Sequence, residues 1–251
     1  MPKVEVITAC VIVIGNEVLS GRTRDANLPF LAVRLNDLGI RLQEARVIAD
    51  EPTAIVAAVN ACRSVYDYIF TTGGIGPTHD DVTSAAVAEA FGVALWQDPQ
   101  ALAWLHQQYA DSELNEARLR MANVPRGARL IENPVSRAPG FQMDNVFVLP
   151  GVPGIMQAMF DGIAPRLRGG QPLHSRTISA YVMEGTIAGP LAGVQERHPD
   201  VAIGSYPFVR GGRIGASLVM RSTDEATLAA AAADLVVVIR QAGAEPVEDP
   251  V

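Results

Sequence analysis

The segment Val4 to Ile14 is apolar at nearly every position and rich in β-branched residues. A strand with one wet face alternates apolar and polar residues. A run without that alternation must be covered on both faces, as in a parallel sheet clothed by helices. The following segments keep to this plan. Asn27 is placed to cap a helix whose apolar positions Leu28, Leu31, Ala32, Leu35 and Leu38 follow helical spacing, and Gly39 stops it. Arg41 to Ile48 reads as a second strand. Asp50 is placed to cap a helix with Ile55, Val56, Val59 and Cys62 on one face, and Tyr66 to Thr71 reads as a third strand. This βαβαβ alternation predicts a parallel sheet with right-handed crossovers and helices on both sides, a three-layer α/β/α plan.

Further along, a helix is expected from Val82 to Phe91, another from Asp98-Pro99 toward Tyr109, and a short one over Leu114 to Ala122. Phe141 to Leu149 carries Asp144-Asn145 between alternating apolar residues, a two-residue hairpin signal that would add antiparallel strands and make the sheet mixed. Ile155 to Leu167 gives a closing helix. Arg168-Gly169-Gly170-Gln171-Pro172 is a linker signal, so two domains are expected, residues 1–168 and 173–251. The second reads as a small α+β unit: strand Ser175 to Met183, helix Thr186 to Arg197, strands Ala202 to Phe208 and Gly215 to Arg221 joined at Gly211-Gly212, and helix Glu225 to Ala242 capped by Thr223 or Asp224.

Of the 251 residues, 49% are hydrophobic and 19% charged, a balance that supports a sizeable core and excludes disorder for the bulk of the chain. The 27 acidic residues outnumber the 20 basic ones and no Lys/Arg cluster stands out, which argues against duplex DNA as a partner. Cys10 and Cys62 both fall in apolar runs, so a disulfide framework is excluded and a reducing compartment is expected. The N-terminus has no cleavage-site pattern and no long apolar stretch, which points to the cytoplasm and away from a membrane.

The densest chemical signal is the run Thr71-Thr72-Gly73-Gly74-Ile75-Gly76-Pro77-Thr78-His79-Asp80-Asp81-Val82-Thr83, which leaves a buried strand and enters a helix. Gly73, Gly74 and Gly76 can turn their N–H groups toward a phosphate, and the helix N-terminus adds partial positive charge. The run is neither a Walker loop nor the GxGxxG dinucleotide fingerprint. A tight strand-to-helix turn would account for a Gly-Gly pair by itself. The adjoining Asp80-Asp81 shifts the balance, because two carboxylates beside a phosphate cradle repel an anion unless a divalent cation bridges them. Helix capping would need only one of the two. His79 reads as an exposed loop residue, since no second histidine stands at metal spacing.

Glu17, Gly21, Asp25 and Asn27 follow the first strand, Asp50 the second and the glycine loop the third. Carboxyl ends of parallel strands share one rim, so these groups are expected to converge there. For Asp50 and Asn27, capping and ligand binding are equally good readings.

The run Ile14-Gly15-Asn16-Glu17-Val18-Leu19-Ser20-Gly21, the triplet Asp25-Ala26-Asn27, the glycine loop and Val148-Leu149-Pro150-Gly151-Val152-Pro153 occur in an order that resembles the molybdopterin-binding domain of the MogA/MoaB superfamily. Within it, the likeness is to the amino-terminal part of competence/damage-inducible (CinA) proteins, from about Val6 to Leu167, and Gly204-Ser205-Tyr206-Pro207 resembles the small domain that follows there. The resemblance implies a MogA-like α/β/α domain with a mixed, mostly parallel sheet that binds molybdopterin or a related nucleotide. Adenylyl-transferring members use acidic residues matching Asp50 and Asp81 with a divalent cation. CinA-type members, and the similar domain of FAD synthetases, are associated with metal-dependent cleavage of the pyrophosphate of ADP-ribose or FAD. Asp80-Asp81 follows the CinA pattern. The nicotinamide-mononucleotide deamidase activity of longer CinA proteins is not expected, because this chain stops before that domain.

The expected activity is therefore a metal-dependent nucleotide pyrophosphatase, with Asp50 and Asp81 catalytic, Asp50, Asp80 and Asp81 holding Mg²⁺, Mn²⁺ or Co²⁺, and water as nucleophile. Gly15, Glu17, Gly21, Asn27, Thr72, Gly73, Gly74, Gly76, Pro77, Thr78, Pro150 and Gly151 are expected to surround the ligand. The loop Glu132 to Gly140 matches the family's Asn-x-x-x-x-Ala-Pro-Gly element. Its Arg137 could meet a phosphate or simply lie on the surface. The alternatives are a molybdopterin-binding or molybdopterin-adenylylating protein, with molybdopterin as ligand, and a noncatalytic binding module. A homo-oligomer is expected from the family.

Overall fold

The computed structural model describes residues 6–248, so the opening residues of the first expected strand, Val4 and Glu5, lie outside the described residues. The chain divides into two compact units between Gly170 and Gln171.

The first unit runs β1 (Ile7–Ile14), α1 (Asn16–Leu19), α2 (Asn27–Asp37), β2 (Ile40–Ile48), α3 (Pro52–Arg63), β3 (Tyr68–Thr72), α4 (Thr83–Ala90), β4 (Leu95–Gln97), α5 (Pro99–Gln108), α6 (Glu116–Leu119), β5 (Asn123–Pro125), β6 (Arg129–Ile131), β7 (Gly140–Met143), β8 (Val146–Leu149) and α7 (Pro153–Ile163). A mixed sheet has the order β2-β1-β3-β8-β7-β6. Its first four strands are mutually parallel, and β7 and β6 are added antiparallel. The β7–β8 hairpin turns at Asp144-Asn145, with Met143 opposite Val146. The short pair β4–β5 forms a separate antiparallel ribbon. Three-residue strands such as β4, β5 and β6 are too short to show periodicity, and they have no counterpart in the sequence pattern.

Strand β1 explains its own composition. Ala9, Val11 and Val13 pack on one side with Leu31 and Leu35 of α2 and Met156 and Phe160 of α7. Cys10, Ile12 and Ile14 pack on the other with Ile55 and Val59 of α3 and Ala86 and Val87 of α4. Two apolar layers on one strand require the unbroken apolar run. Strand β2, at the sheet's edge, alternates buried or half-buried residues with exposed ones and keeps a strand pattern with more charge. On the α2/α7 side, Phe70 stacks on Phe147 at 5.2 Å between ring centres and meets Phe160 edge-on at 5.6 Å.

Several helix starts differ from the expectation. Helix α2 begins at Asn27 itself, and the acceptor for its first N–H groups is the Asp25 carboxylate, 2.8 Å from the Leu28 nitrogen. Helix α3 has Pro52 in its first turn and no side-chain cap, so Asp50 does not cap it. Helix α4 also lacks a side-chain cap, which removes that role from Asp80 and Asp81. By contrast, Asp98 accepts from the Gln100 and Ala101 nitrogens and caps α5.

The second unit contains β9 (His174–Ala180), α8 (Glu184–Arg197), β10 (Ala202–Arg210), β11 (Arg213–Ser222), α9 (Glu225–Gln241) and β12 (Val247–Glu248), with an antiparallel sheet in the order β10-β11-β9-β12. Ile178, Ala216, Leu218 and Met220 of the sheet pack with Ile187 and Val194 of α8 and Leu228, Leu235 and Ile239 of α9. Asp224 caps α9, accepting from the Thr227 nitrogen at 2.6 Å. Among the described residues no helix is long and apolar enough to cross a membrane.

Candidate functional site

The chain leaves β1 toward β2 on one side and crosses back to β3 on the other, so strand order reverses between β1 and β3. In open α/β sheets the crevice beyond the carboxyl ends at such a reversal is where ligands bind. Here it is a cleft of about 380 Å³. Glu17 enters from α1 and Thr23 from the loop that follows it, Asp50 from the loop after β2, Gly73, Gly74, Gly76, Thr78, Asp80 and Asp81 from the loop after β3, and Pro150 and Gly151 from the loop after β8.

The glycines have two different tasks. Gly73 has φ 108° and Gly74 φ 68°. A Cβ on Gly73 would lie 2.1 Å from the Ile14 carbonyl oxygen, and one on Gly74 would lie 2.2 Å from Thr83 Oγ1. The loop thus lies flat against β1 and the start of α4. Thr83 pins it there: its hydroxyl donates to the Gly73 carbonyl at 3.0 Å and its N–H to the Gly74 carbonyl at 3.0 Å. The Gly73 N–H donates to Leu149 at 3.1 Å, so it is committed to the sheet and does not face a ligand. The N–H groups of Gly74, Ile75 and Gly76 have no protein acceptor among the described residues. They are the donors of the loop that remain for an anion.

The carboxylates are individually anchored. Asp50 accepts from the Asn16 N–H at 2.7 Å, which ties the end of β2 to the first turn after β1. Asp81 accepts from the Thr78 N–H at 2.8 Å and from the Thr78 hydroxyl. That hydroxyl lies between the paired aspartates. Its proximity, together with Asp80's own N–H, holds the Asp80 carboxyl below the usual carboxylate range. The three aspartates share the cleft, but their ligand atoms do not form a cluster within 4.8 Å of one another.

Sharing Glu17, Thr23 and Gly151 with the cleft, a smaller hollow of about 60 Å³ is lined by Asn27 and Thr72. Asn27 is 3% exposed and donates its amide to the Gly151 carbonyl at 2.8 Å. Its Oδ1 and the Thr72 hydroxyl are buried without a protein partner among the described residues.

Gly15, Gly21 and Pro77, expected around the ligand, and Arg137, for which a surface role was an equal reading, are not among the cleft's lining residues. Gly15 donates its N–H to Ile48 at 3.1 Å and closes the β1–β2 end, with the Glu17 carboxylate folded so near that a Cβ would meet it at 2.6 Å. Gly21 lies in the turn after α1, where its N–H bonds to Val18, and is not among the cleft's lining residues. The Pro77 carbonyl accepts from Arg120 at 2.9 Å. Arg137 pairs with Glu132 at 2.6 Å and does not line the cleft. The loop that carries it is held by Asn133, whose side chain bonds to Ser136, Ala138 and Val135, so its prolines and glycine serve as backbone punctuation.

Sequence reasoning missed Thr23, Thr83 and Arg120 as contributors. Thr83 ends the glycine-rich run and was legible there as a possible bond donor, whereas Arg120 reaches the loop from a distant segment with no local signal.

These features define an α/β protein with a glycine-rich loop and three aspartates at the switch point of its sheet. The chain belongs to the family described as "Probable molybdopterin binding domain", whose profile matches residues 10–169, and residues 172–248 match "FAD synthase, middle domain". A protein of Archaeoglobus fulgidus is 34% identical over 197 residues, covering 78% of this chain and 84% of that protein. A CinA-like protein of Myxococcus xanthus is 36% identical over 205 residues, covering 76% of this chain but only 49% of that longer protein. The crystal structure of CinA from Thermoplasma acidophilum, described as of unknown function, superposes with a TM-score of 0.61 at 36% identity, covering 63% of this chain and 96% of that one.

Proposed function

We propose that this CinA-like protein is a metal-dependent nucleotide pyrophosphatase acting on ADP-ribose or FAD-like dinucleotides. The observation that carries the reading is the adjacency, in one cleft, of uncommitted N–H groups at Gly74 to Gly76 and of the carboxylates of Asp50, Asp80 and Asp81. N–H donors suit phosphate oxygens, while carboxylates beside them suit a phosphate only through a cation. The donor set is all oxygen, which fits Mg²⁺, Mn²⁺ or Co²⁺, and such ions take one or two carboxylates plus substrate phosphates without a closed protein cage. Asp50, Asp80 and Asp81 would hold the ion, which when bound supplies charge neutralisation and Lewis acidity.

The chain's own groups do the rest. Gly74, Ile75 and Gly76 orient one phosphate through their N–H groups. Asn16 and Thr78 keep Asp50 and Asp81 oriented. Water attacks one phosphorus, the bridging P–O bond breaks, and each product leaves as a monophosphate. The match of the second unit to the FAD synthase middle domain favours a dinucleotide substrate. The match of the first unit favours a second reading, binding or adenylylation of molybdopterin in the same cleft.

The test is incubation of the purified protein with ADP-ribose, FAD or molybdopterin plus ATP, each with Mg²⁺, Mn²⁺ or Co²⁺. AMP released from a dinucleotide supports the pyrophosphatase. Adenylylated pterin without dinucleotide cleavage replaces it with the second reading.

A further inference from the structure

A second group of chemistry-bearing side chains lies away from the cleft, on the sheet face covered by α3. Cys10 of β1 and Cys62 in the last turn of α3 are fully buried, with their sulfur atoms 3.5 Å apart. Glu44 of β2 joins them, and one ligand atom from each of the three lies within 4.8 Å of the other two. The pairing of β1 with β2 shows why. Ala9 stands opposite Leu42, but Cys10 stands opposite Glu44, so an irregularity skips Gln43 and carries Glu44 to the cysteine. An extra residue in one strand is a common means of re-aiming a side chain.

The carboxylate is also prepared. Arg46 donates to Glu44 Oε1 at 2.5 Å and Tyr66 donates its hydroxyl to Oε2 at 2.6 Å. Together they hold the Glu44 carboxyl below its usual range. Each oxygen keeps a further lone pair. Outer groups that fix a ligand's orientation are the usual companions of a metal site.

We propose that Cys10, Cys62 and Glu44 form a site for a thiophilic divalent ion of the zinc class, separate from the switch-point cleft. The chemistry of the donors distinguishes the two: the cleft offers only oxygen, whereas this group offers two sulfurs and one oxygen, the set that soft or borderline ions select. Charge balance fits as well. Glu44 and Arg46 already form an ion pair beside the two sulfurs. One divalent ion replaces the two thiol protons, giving two thiolates, one carboxylate, one guanidinium and no net charge. Burial pushes the Cys10 thiol up, so it stays protonated and inert in the absence of metal. An ion would enter past Glu44, whose side chain is one-third exposed.

Cadmium is a suitable probe because thiolate-to-cadmium charge transfer absorbs in the ultraviolet and oxygen ligation does not. The chain has only two cysteines, so the band reports this site alone. Titrating reduced, chelator-treated protein with Cd²⁺ should give a band saturating at one ion per chain, release two protons per ion and raise the thermal midpoint. Cys10→Ala/Cys62→Ala, checked for folding by its melt without metal, should lose both the band and the thermal shift. Glu44→Gln should weaken binding about 10-fold or more while keeping the band at high cadmium. Saturation without a thiolate band, or a thermal shift undiminished in the double variant, would overturn the assignment. Dinucleotide cleavage plays no part in this readout, so it stands or falls independently of the proposed activity.

Discussion

The side-chain amide of Asn27 donates to the carbonyl oxygen of Gly151 at 2.8 Å, joining residues 124 apart in the chain. This bond fastens the start of α2 to the loop after β8; that loop lines the cleft, and both segments line the smaller hollow. Asn27 is thus a clamp between loops, a role that capping could not have suggested.

Removing the clamp should loosen the cleft. Asn27→Ala leaves the Gly151 carbonyl without its donor, a loss expected to cost about 1–3 kcal/mol for a buried group. Urea unfolding should show that decrease, and hydrogen exchange should show faster opening around Gly151 than around β1.

Asp81→Asn separates charge from shape. The amide oxygen can still accept from the Thr78 N–H, so the melting temperature should change little. Metal-dependent cleavage should fall by more than the roughly 10–100-fold typical of losing a group that merely orients a ligand. Asp50→Asn, which can likewise keep its bond from the Asn16 N–H, should behave the same way. Unchanged turnover and metal dependence in both variants would remove these residues from the reaction.

Gly73→Ala should damage the fold more than Gly76→Ala. At Gly73 the added carbon meets the Ile14 backbone oxygen at 2.1 Å, which cannot move without disturbing β1, and the positive φ adds strain. A loss of more than about 1 kcal/mol is expected. At Gly76 the added carbon meets the Asp81 carboxylate at 2.7 Å, a side chain that can swing aside. That variant should keep its stability and lose ligand affinity, as paired melts and binding titrations would show.

The second unit should lose stability in acid partly through Asp224. The Thr227 N–H and hydroxyl hold its carboxyl below the usual aspartate range in the folded state. A depressed carboxyl contributes stability above the unfolded pKa, and that contribution disappears as pH falls through the folded value. The loss should therefore come below about pH 4, the ordinary aspartate value. Asp224→Asn, which keeps an acceptor without a titrating charge, should show a shallower decline in unfolding midpoint across that range.

Local sequence already determined much of this protein. The unbroken apolar run of β1 required two covering layers, and Leu31 and Leu35 face one of them while Ile55 and Val59 face the other. Asp224 was legible as a cap, and Asp98-Pro99 as a helix start, because a cap acts on N–H groups two or three residues away. The grouping of Asp50 with the glycine loop was also legible, since both follow strands that run the same way. Long-range partners were not. Asp50 and Asn27 look like caps in isolation, and only folding brings Asn16 to one and Gly151 to the other. Gly73 looks like an anion donor until Leu149 claims its N–H. Cys10, Glu44 and Cys62 have no common motif at all, because a skipped residue in strand pairing and one helix crossover bring them together. Periodicity and capping act within a few residues and can be read along the chain, whereas a hydrogen-bond partner across the sheet depends on register and packing, which tertiary structure alone decides.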